Sequence, residues 1–139
     1  MGTSGCRAVI FDENFAVAGR AAGSYPLLIP RPQWAEQDAD QVLSVTLAVI
    51  RQCLRRSGVP SQEILGMGLS GVLYTVLAID GQGRPLLPLI QWSDNRAGPQ
   101  AERLDPSFRE GNLYQRTGCR NHSMYLPAKI LWIKEEMPS

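Results

Sequence analysis

The spacing of hydrophobic positions along this chain changes several times, and each change marks an element. Residues 6–13 carry the β-formers Ala8, Val9, Ile10 and Phe11, Asp12, Glu13 and Asn14 supply turn chemistry, and 15–25 resumes an extended, partly alternating pattern. This order predicts a β-hairpin. Pro26, Pro30 and Pro32 exclude a regular helix or central strand between them, so 26–33 is expected as an extended surface connection. Asp38 or Asp40 is then placed to cap a helix with one apolar row at Val42, Val45, Thr46, Val49 and Cys53 and a second at Leu43, Leu47, Ile50 and Leu54. It is expected to end near Ser57 and Gly58, where Arg55 and Arg56 face the negative end of the helix dipole.

Further along, 64–70 and 73–80 read as strands separated by Gly71, and Asp80-Gly81-Gln82-Gly83 is a hairpin signal leading into a strand at 86–92. The pattern predicts an α/β fold: a mixed sheet of about five strands with one long helix packed on it. Beyond Asp94, helices are predicted at 99–104, 106–116 and 128–136, with a polar loop at 118–123.

Composition narrows the function classes. A hydrophobic share of 44% and a charged share of 19% over 139 residues are those of a folded soluble domain rather than a disordered chain. Fourteen basic residues against thirteen acidic ones leave a formal charge of +1, with no basic block beyond Arg55-Arg56, which argues against a nucleic-acid partner. The longest apolar stretches are too short and too interrupted to span a bilayer, and the start has no signal-peptide pattern, so no membrane role is expected. Cys6, Cys53 and Cys119 form neither a disulfide framework nor a zinc motif, which fits a reducing cytoplasm; Cys53 falls on the apolar helix face as a small hydrophobe.

Candidate chemistry begins at the start of the chain. Gly2-Thr3-Ser4-Gly5-Cys6-Arg7 leads directly into the strand that ends at Asp12. Small residues in a tight turn let backbone N–H groups and hydroxyls approach phosphate oxygens, and a nearby Arg adds charge-assisted bonds. Taken alone, these residues are better accounted for by an ordinary N-terminal turn.

Four further motifs follow in order. Residues 2–12 resemble the phosphate-binding hairpin of the FGGY carbohydrate kinases, Pro32-Gln33-Trp34-Ala35-Glu36-Gln37-Asp38 resembles that family's segment before its first helix, and Gly68-Leu69-Ser70-Gly71 its strand end entering the sugar site. Leu89-Ile90-Gln91-Trp92-Ser93-Asp94-Asn95-Arg96 is similar to the family's Ile-x-Trp-x-Asp-x-Arg. Thr117-Gly118-Cys119, His122-Ser123-Met124-Tyr125 and the run from Lys129 to Glu135 resemble the gluconate kinase branch.

The resemblance implies a ribonuclease-H-like, actin-like ATPase fold in which 1–139 is a partial N-terminal domain with a mixed sheet and flanking helices. It implies that a sugar or sugar acid, gluconate first, binds this domain while ATP with Mg2+ binds chiefly a second one. An Asp would deprotonate the sugar hydroxyl for attack on the γ-phosphate. On this reading the first strand is cut short, the metal-associated Asp falls before Gly2, and the general base and nucleotide domain fall beyond Ser139. The chain alone is then expected to be inactive, to hold no metal, and to self-associate along an unpaired sheet edge. A homodimeric parent is compatible with it.

Residue by residue, Gly2, Thr3, Ser4 and Arg7 map onto the phosphate turn, with Gly5 and Cys6 departing from the commoner Ser-Thr pair. Ser70-Gly71-Val72-Leu73-Tyr74 replaces the usual Ser-Gly/Ser-x-Met-His, so Tyr74 is the polar side chain left to meet sugar there. Trp92, Asp94 and Arg96 are candidates for an aromatic platform and hydroxyl-binding groups; a buried Trp, with Asp94 capping a helix and pairing with Arg96 on the surface, is the alternative. His122, the single histidine, is either a substrate contact or a structural residue. Trp34, Glu36 and Asp38 read as structural, and Lys129 with Trp132 as a snorkelling Lys beside a core Trp. A non-catalytic sugar-binding module derived from such a kinase is the competing function. A two-metal nuclease is disfavoured because Asp12, Asp80 and Asp94 form no recognisable carboxylate set.

Overall fold

The computed structural model describes residues 1–137. The chain forms two compact units, Met1–Leu27 with Gln37–Val72, and Leu28–Glu36 with the chain from Leu73 onward.

The first unit is a hairpin covered by one helix. Strands β1 (Gly5–Phe11) and β2 (Val17–Ser24) pair antiparallel from Gly5 opposite Ser24 to Ile10 opposite Gly19, with a bulge before Phe11. Asp12 builds the turn, its carboxylate accepting from the N–H groups of Asn14 at 2.9 Å and Ala16 at 2.8 Å. Helix α1 (Ala39–Ser57) starts where Asp38 accepts from the Gln41 N–H at 2.8 Å, and ends at Gly58 in the left-handed region with φ 69°. Its first apolar row meets the hairpin: Val49 and Cys53 are buried with Cys6, Ala21 and Tyr25, and Val42 and Val45 pack at the margin. A Cβ on Gly23 would come within 2.7 Å of Val49 Cγ2, so the missing side chain is what lets helix and strand approach. The second row is less used, with Leu43 57% and Leu47 41% exposed.

Residues 64–70, expected as a strand, form no ladder; Leu65, Met67 and Leu69 are exposed along them. Backbone contact begins only at their C-terminal end, where the Met1 amino group donates to the Ser70 carbonyl at 2.6 Å and the Val72 N–H to the Met1 carbonyl at 3.0 Å. An apolar alternating run without a neighbouring backbone does not become a strand.

In the second unit the expected strands at 73–80 and 86–92 are also mostly unpaired. The other sheet of the chain is a two-residue pair, β3 (Glu36–Gln37) with β4 (Leu89–Ile90), and isolated bridges join Leu28 to Glu36, Val76 to Ile90 and Ile79 to Pro85. Pro85 and Pro88 have no N–H to give, which interrupts a continuous ladder. The turn between them forms as expected: the Asp80 carboxylate accepts from the N–H groups of Gln82 and Arg84, and Gly83 takes φ 80°. The mixed sheet of about five strands is therefore replaced by two sheets of two strands each among the described residues.

The remaining helices are α2 (Gly98–Glu110), α3 (Leu113–Thr117) and α4 (Leu126–Glu136). The helix break expected before Pro106 does not occur. The chain turns instead at Gly111 and Asn112, the latter at φ 53°. Loss of one backbone bond at Pro106 is tolerated because Ala97 and Ala101 of this segment bury against Ala128 of α4, with Leu104 and Trp132 beside them. Arg103 and Gln100 both reach Glu135 across the same contact.

Candidate functional site

The glycine-hydroxyl turn lies in the first unit and is held from within. Gly2 N–H closes on the Gly5 carbonyl at 2.8 Å, and the buried Tyr25 donates its hydroxyl to the Gly2 carbonyl at 2.8 Å and the Gly5 carbonyl at 3.1 Å. Gln37 Nε2 donates to the Thr3 carbonyl at 2.8 Å, and the Tyr25 N–H to the Ser4 carbonyl at 3.3 Å. Four successive carbonyl oxygens thus face internal donors, which keeps their negative ends occupied while Ser4 and Arg7 stand exposed. Burial pushes the Tyr25 phenol above its ordinary pKa, so it remains a donor across the neutral range. Tyr25 was not signalled by any motif; Gln37 lay inside one but carried no assigned role.

The second unit holds Tyr74, Trp92, Asp94, Arg96 and His122. Asp94 is fully buried and its carboxylate is surrounded by donors: the Ala35 N–H at 2.6 Å, the Arg96 N–H at 3.0 Å, and Arg96 Nε and Nη2 at 2.9 and 2.8 Å. Arg96 Nη2 also reaches Glu36 Oε1 at 2.6 Å. The guanidinium lies over Trp34 at 3.6 Å from the ring centre, with Trp132 at 4.9 Å, and the two rings meet edge to face. A bidentate, stacked arginine of this kind fixes geometry in a way lysine cannot. Glu36 and Trp34 are thereby structural, as expected, and the pairing of Asp94 with Arg96 is buried rather than on the surface.

Trp92, between these buried neighbours, is 40% exposed. Tyr74 takes φ 60°, a left-handed conformation uncommon for a non-glycine residue, and its ring meets Tyr125 edge to face at 4.7 Å between centres. Tyr125 in turn lies 6.4 Å from His122. His122 Nδ1 accepts from the Met124 N–H at 3.1 Å, which leaves the proton of the neutral ring on Nε2. Tyr74 and His122 are thus joined through Tyr125, a residue with no assigned role in the sequence reading.

Lys129 corrects that reading outright. It does not snorkel: its side chain is completely buried, and Nζ donates to the Tyr74 carbonyl at 2.9 Å and the Gln91 carbonyl at 2.5 Å. Desolvation pulls its pKa down to about 8, opposed by Asp94 and reinforced by Arg96. Since the folded state binds this proton less tightly than the unfolded chain, the charged form costs stability below about pH 8, and the cost is relieved as pH rises from there toward the ordinary lysine value of 10.5. Relative to Lys129→Met, the native chain is expected to gain about 2 kcal/mol between about pH 7.5 and about pH 10. Paired urea titrations at the two pH values check this; equal differences would show that the ammonium is solvated.

Among the described residues, no group of three or more His, Cys, Asp or Glu side chains is placed to hold a metal ion, and no helix is long and apolar enough to cross a membrane.

The model of the N-terminal domain of the FGGY family of carbohydrate kinases matches residues 1–139, and the chain belongs to that family. It is 31% identical to a gluconokinase of Bacillus subtilis over 98% of this chain and 26% of that protein. It is 30% identical to a glycerol kinase of Desulfitobacterium hafniense over 99% of this chain and 28% of that protein. Among solved structures, a xyloylose kinase from Brucella ovis superposes with a TM-score of 0.88 at 29% identity, over 97% of this chain and 27% of that one. Plasmodium falciparum glycerol kinase with ADP gives 0.89 at 19% identity over 99% of this chain and 28% of that one, a likeness of fold alone. Such kinases have the actin-like ATPase fold, of which this chain is a partial α/β portion with small sheets. The chain spans about a quarter of the length of the curated relatives it matches.

Proposed function

We propose that this chain is the acceptor-side portion of an ATP-dependent carbohydrate kinase that transfers the γ-phosphate to a hydroxyl of a sugar acid, with gluconate as the acceptor. The observation that carries the reading is the family match over 1–139. The choice of gluconate leans on the gluconokinase relative and on the loop motif His122-Ser123-Met124-Tyr125. Glycerol kinases at similar identity support a polyol acceptor as the second reading.

In this reading Tyr74, Trp92 and His122 meet the acceptor: two ring groups with a hydroxyl donor and an imidazole N–H suit a polyhydroxy chain. Asp94 and Arg96 act on it through the backbone that carries Trp92, since their polar atoms are engaged with one another and with Ala35 and Glu36. For the same reason neither Asp94 nor Glu36 is the deprotonating base, which the reading assigns to an Asp outside 1–139. Gly2, Thr3, Ser4 and Arg7 hold a phosphate group of ATP, and a divalent metal, for which the described residues offer no donor set, would neutralise charge on the transferred phosphoryl when bound.

Steady-state kinetics of the full-length protein test this. Each lost hydrogen bond is worth ~0.5–1.5 kcal/mol, so Tyr74→Phe is expected to raise the Michaelis constant for gluconate about twofold to tenfold and to leave that for ATP within about twofold. Turnover of glycerol but not gluconate would move the acceptor to the polyol reading. No phosphoryl transfer to any sugar, sugar acid or polyol would leave the non-catalytic sugar-binding module.

A further inference from the structure

We infer that Lys129 is a positioning residue for the acceptor site, its buried ammonium tying the backbone of Tyr74 to that of Gln91 and so fixing where the Tyr74 and Trp92 rings stand. The inference rests on the acceptor-site reading above.

A fully buried lysine is costly, and a methionine would fill the same volume without desolvating a charge. The ammonium is used on two main-chain carbonyls whose segments are otherwise joined near this point by a single bridge, Val76 to Ile90: Tyr74, at the start of one mostly unpaired segment and two residues before that bridge, and Gln91, immediately before Trp92. Tyr74 is also held at φ 60°, a conformation that persists only where its surroundings determine it. The same end of α4 supplies the second constraint, because the Tyr125 ring lies 4.7 Å from the Tyr74 ring, while the Lys129 N–H returns to the Tyr125 carbonyl one turn away. One helix terminus therefore grips both the backbone and the ring of Tyr74 and, through Gln91, the approach to Trp92. A ring placed in this way loses less freedom when a ligand binds.

The test is a double-mutant cycle in the full-length protein with gluconate and ATP. Lys129→Met is expected to raise the gluconate Michaelis constant about tenfold, with the ATP constant within about twofold, in a variant that circular dichroism shows to be folded at the assay temperature. In that background Tyr74→Phe is expected to add almost nothing, because the hydroxyl is no longer held where it acts. Lys129→Gln, which keeps two N–H donors, recovers part of the loss and carries the same cycle if Lys129→Met does not fold. Additive effects, or equal rises in both Michaelis constants, would make Lys129 a core residue only and overturn the inference. If Tyr74→Phe and Trp92→Ala leave the gluconate constant unmoved in the native background, the acceptor-site reading fails, and this inference fails with it.

Discussion

Arg96→Met is expected to destabilise the chain by ~3–5 kcal/mol, because it removes the single guanidinium that neutralises both Asp94 and Glu36 in a buried setting. Asp94 is wholly inaccessible and Glu36 nearly so, so neither carboxylate is able to recover its hydration without opening the fold. Trp34 and Trp132 lose the cation between them as well. For a domain whose total stability is on the order of 5–15 kcal/mol, that loss is a large fraction. Asp94→Ala is expected to cost nearly as much, since it strands Arg96 and the Ala35 N–H together. Urea denaturation of the purified chain at neutral pH measures both. A loss below about 1 kcal/mol for either would mean that the network is hydrated in solution.

Gly5→Ala is the second large effect. A Cβ there would sit 2.3 Å from the Gly23 carbonyl oxygen and 3.1 Å from Ser24 Cα, both backbone atoms of the paired strand, so the hairpin must part to admit it. Overpacking of this kind costs ~1–3 kcal/mol. It also displaces the carbonyl that Tyr25 and Gly2 share, so under the proposed function the Michaelis constant of the full-length protein for ATP is expected to rise while that for the sugar changes little. Gly2→Ala is the control: its nearest contact would be an ordinary 3.5 Å, and a stability change within about 0.5 kcal/mol is expected. Equal effects of the two substitutions, read from thermal melts, would show that the turn is not packed against β2.

Local features were legible in the sequence wherever a short stretch of chain decides the outcome. The hairpin at Asp12, the cap at Asp38 and the tight turn from Asp80 to Gly83 depend on side chains reaching backbone a few residues away, and the left-handed stop at Gly58 on a residue with no side chain to oppose positive φ, so the local sequence states them directly. The motif order that places the chain in its family was legible for the same reason. Apolar alternation at 64–70 and 73–80 announced strands, yet a strand also needs a backbone beside it, and that is settled by the rest of the fold. The chemical assignments divide along the same line. Asp94, Arg96 and Glu36 were visible as residue types, but the bond from Arg96 to Glu36 spans 60 positions, and the one from Lys129 to Tyr74 spans 55. Whether a charged side chain lies in water or is shared among buried oxygens depends on such distant partners. The sequence thus determined the turns, the caps and the family, while the tertiary structure alone decided which charges are buried, because desolvation depends on everything that surrounds a group in space.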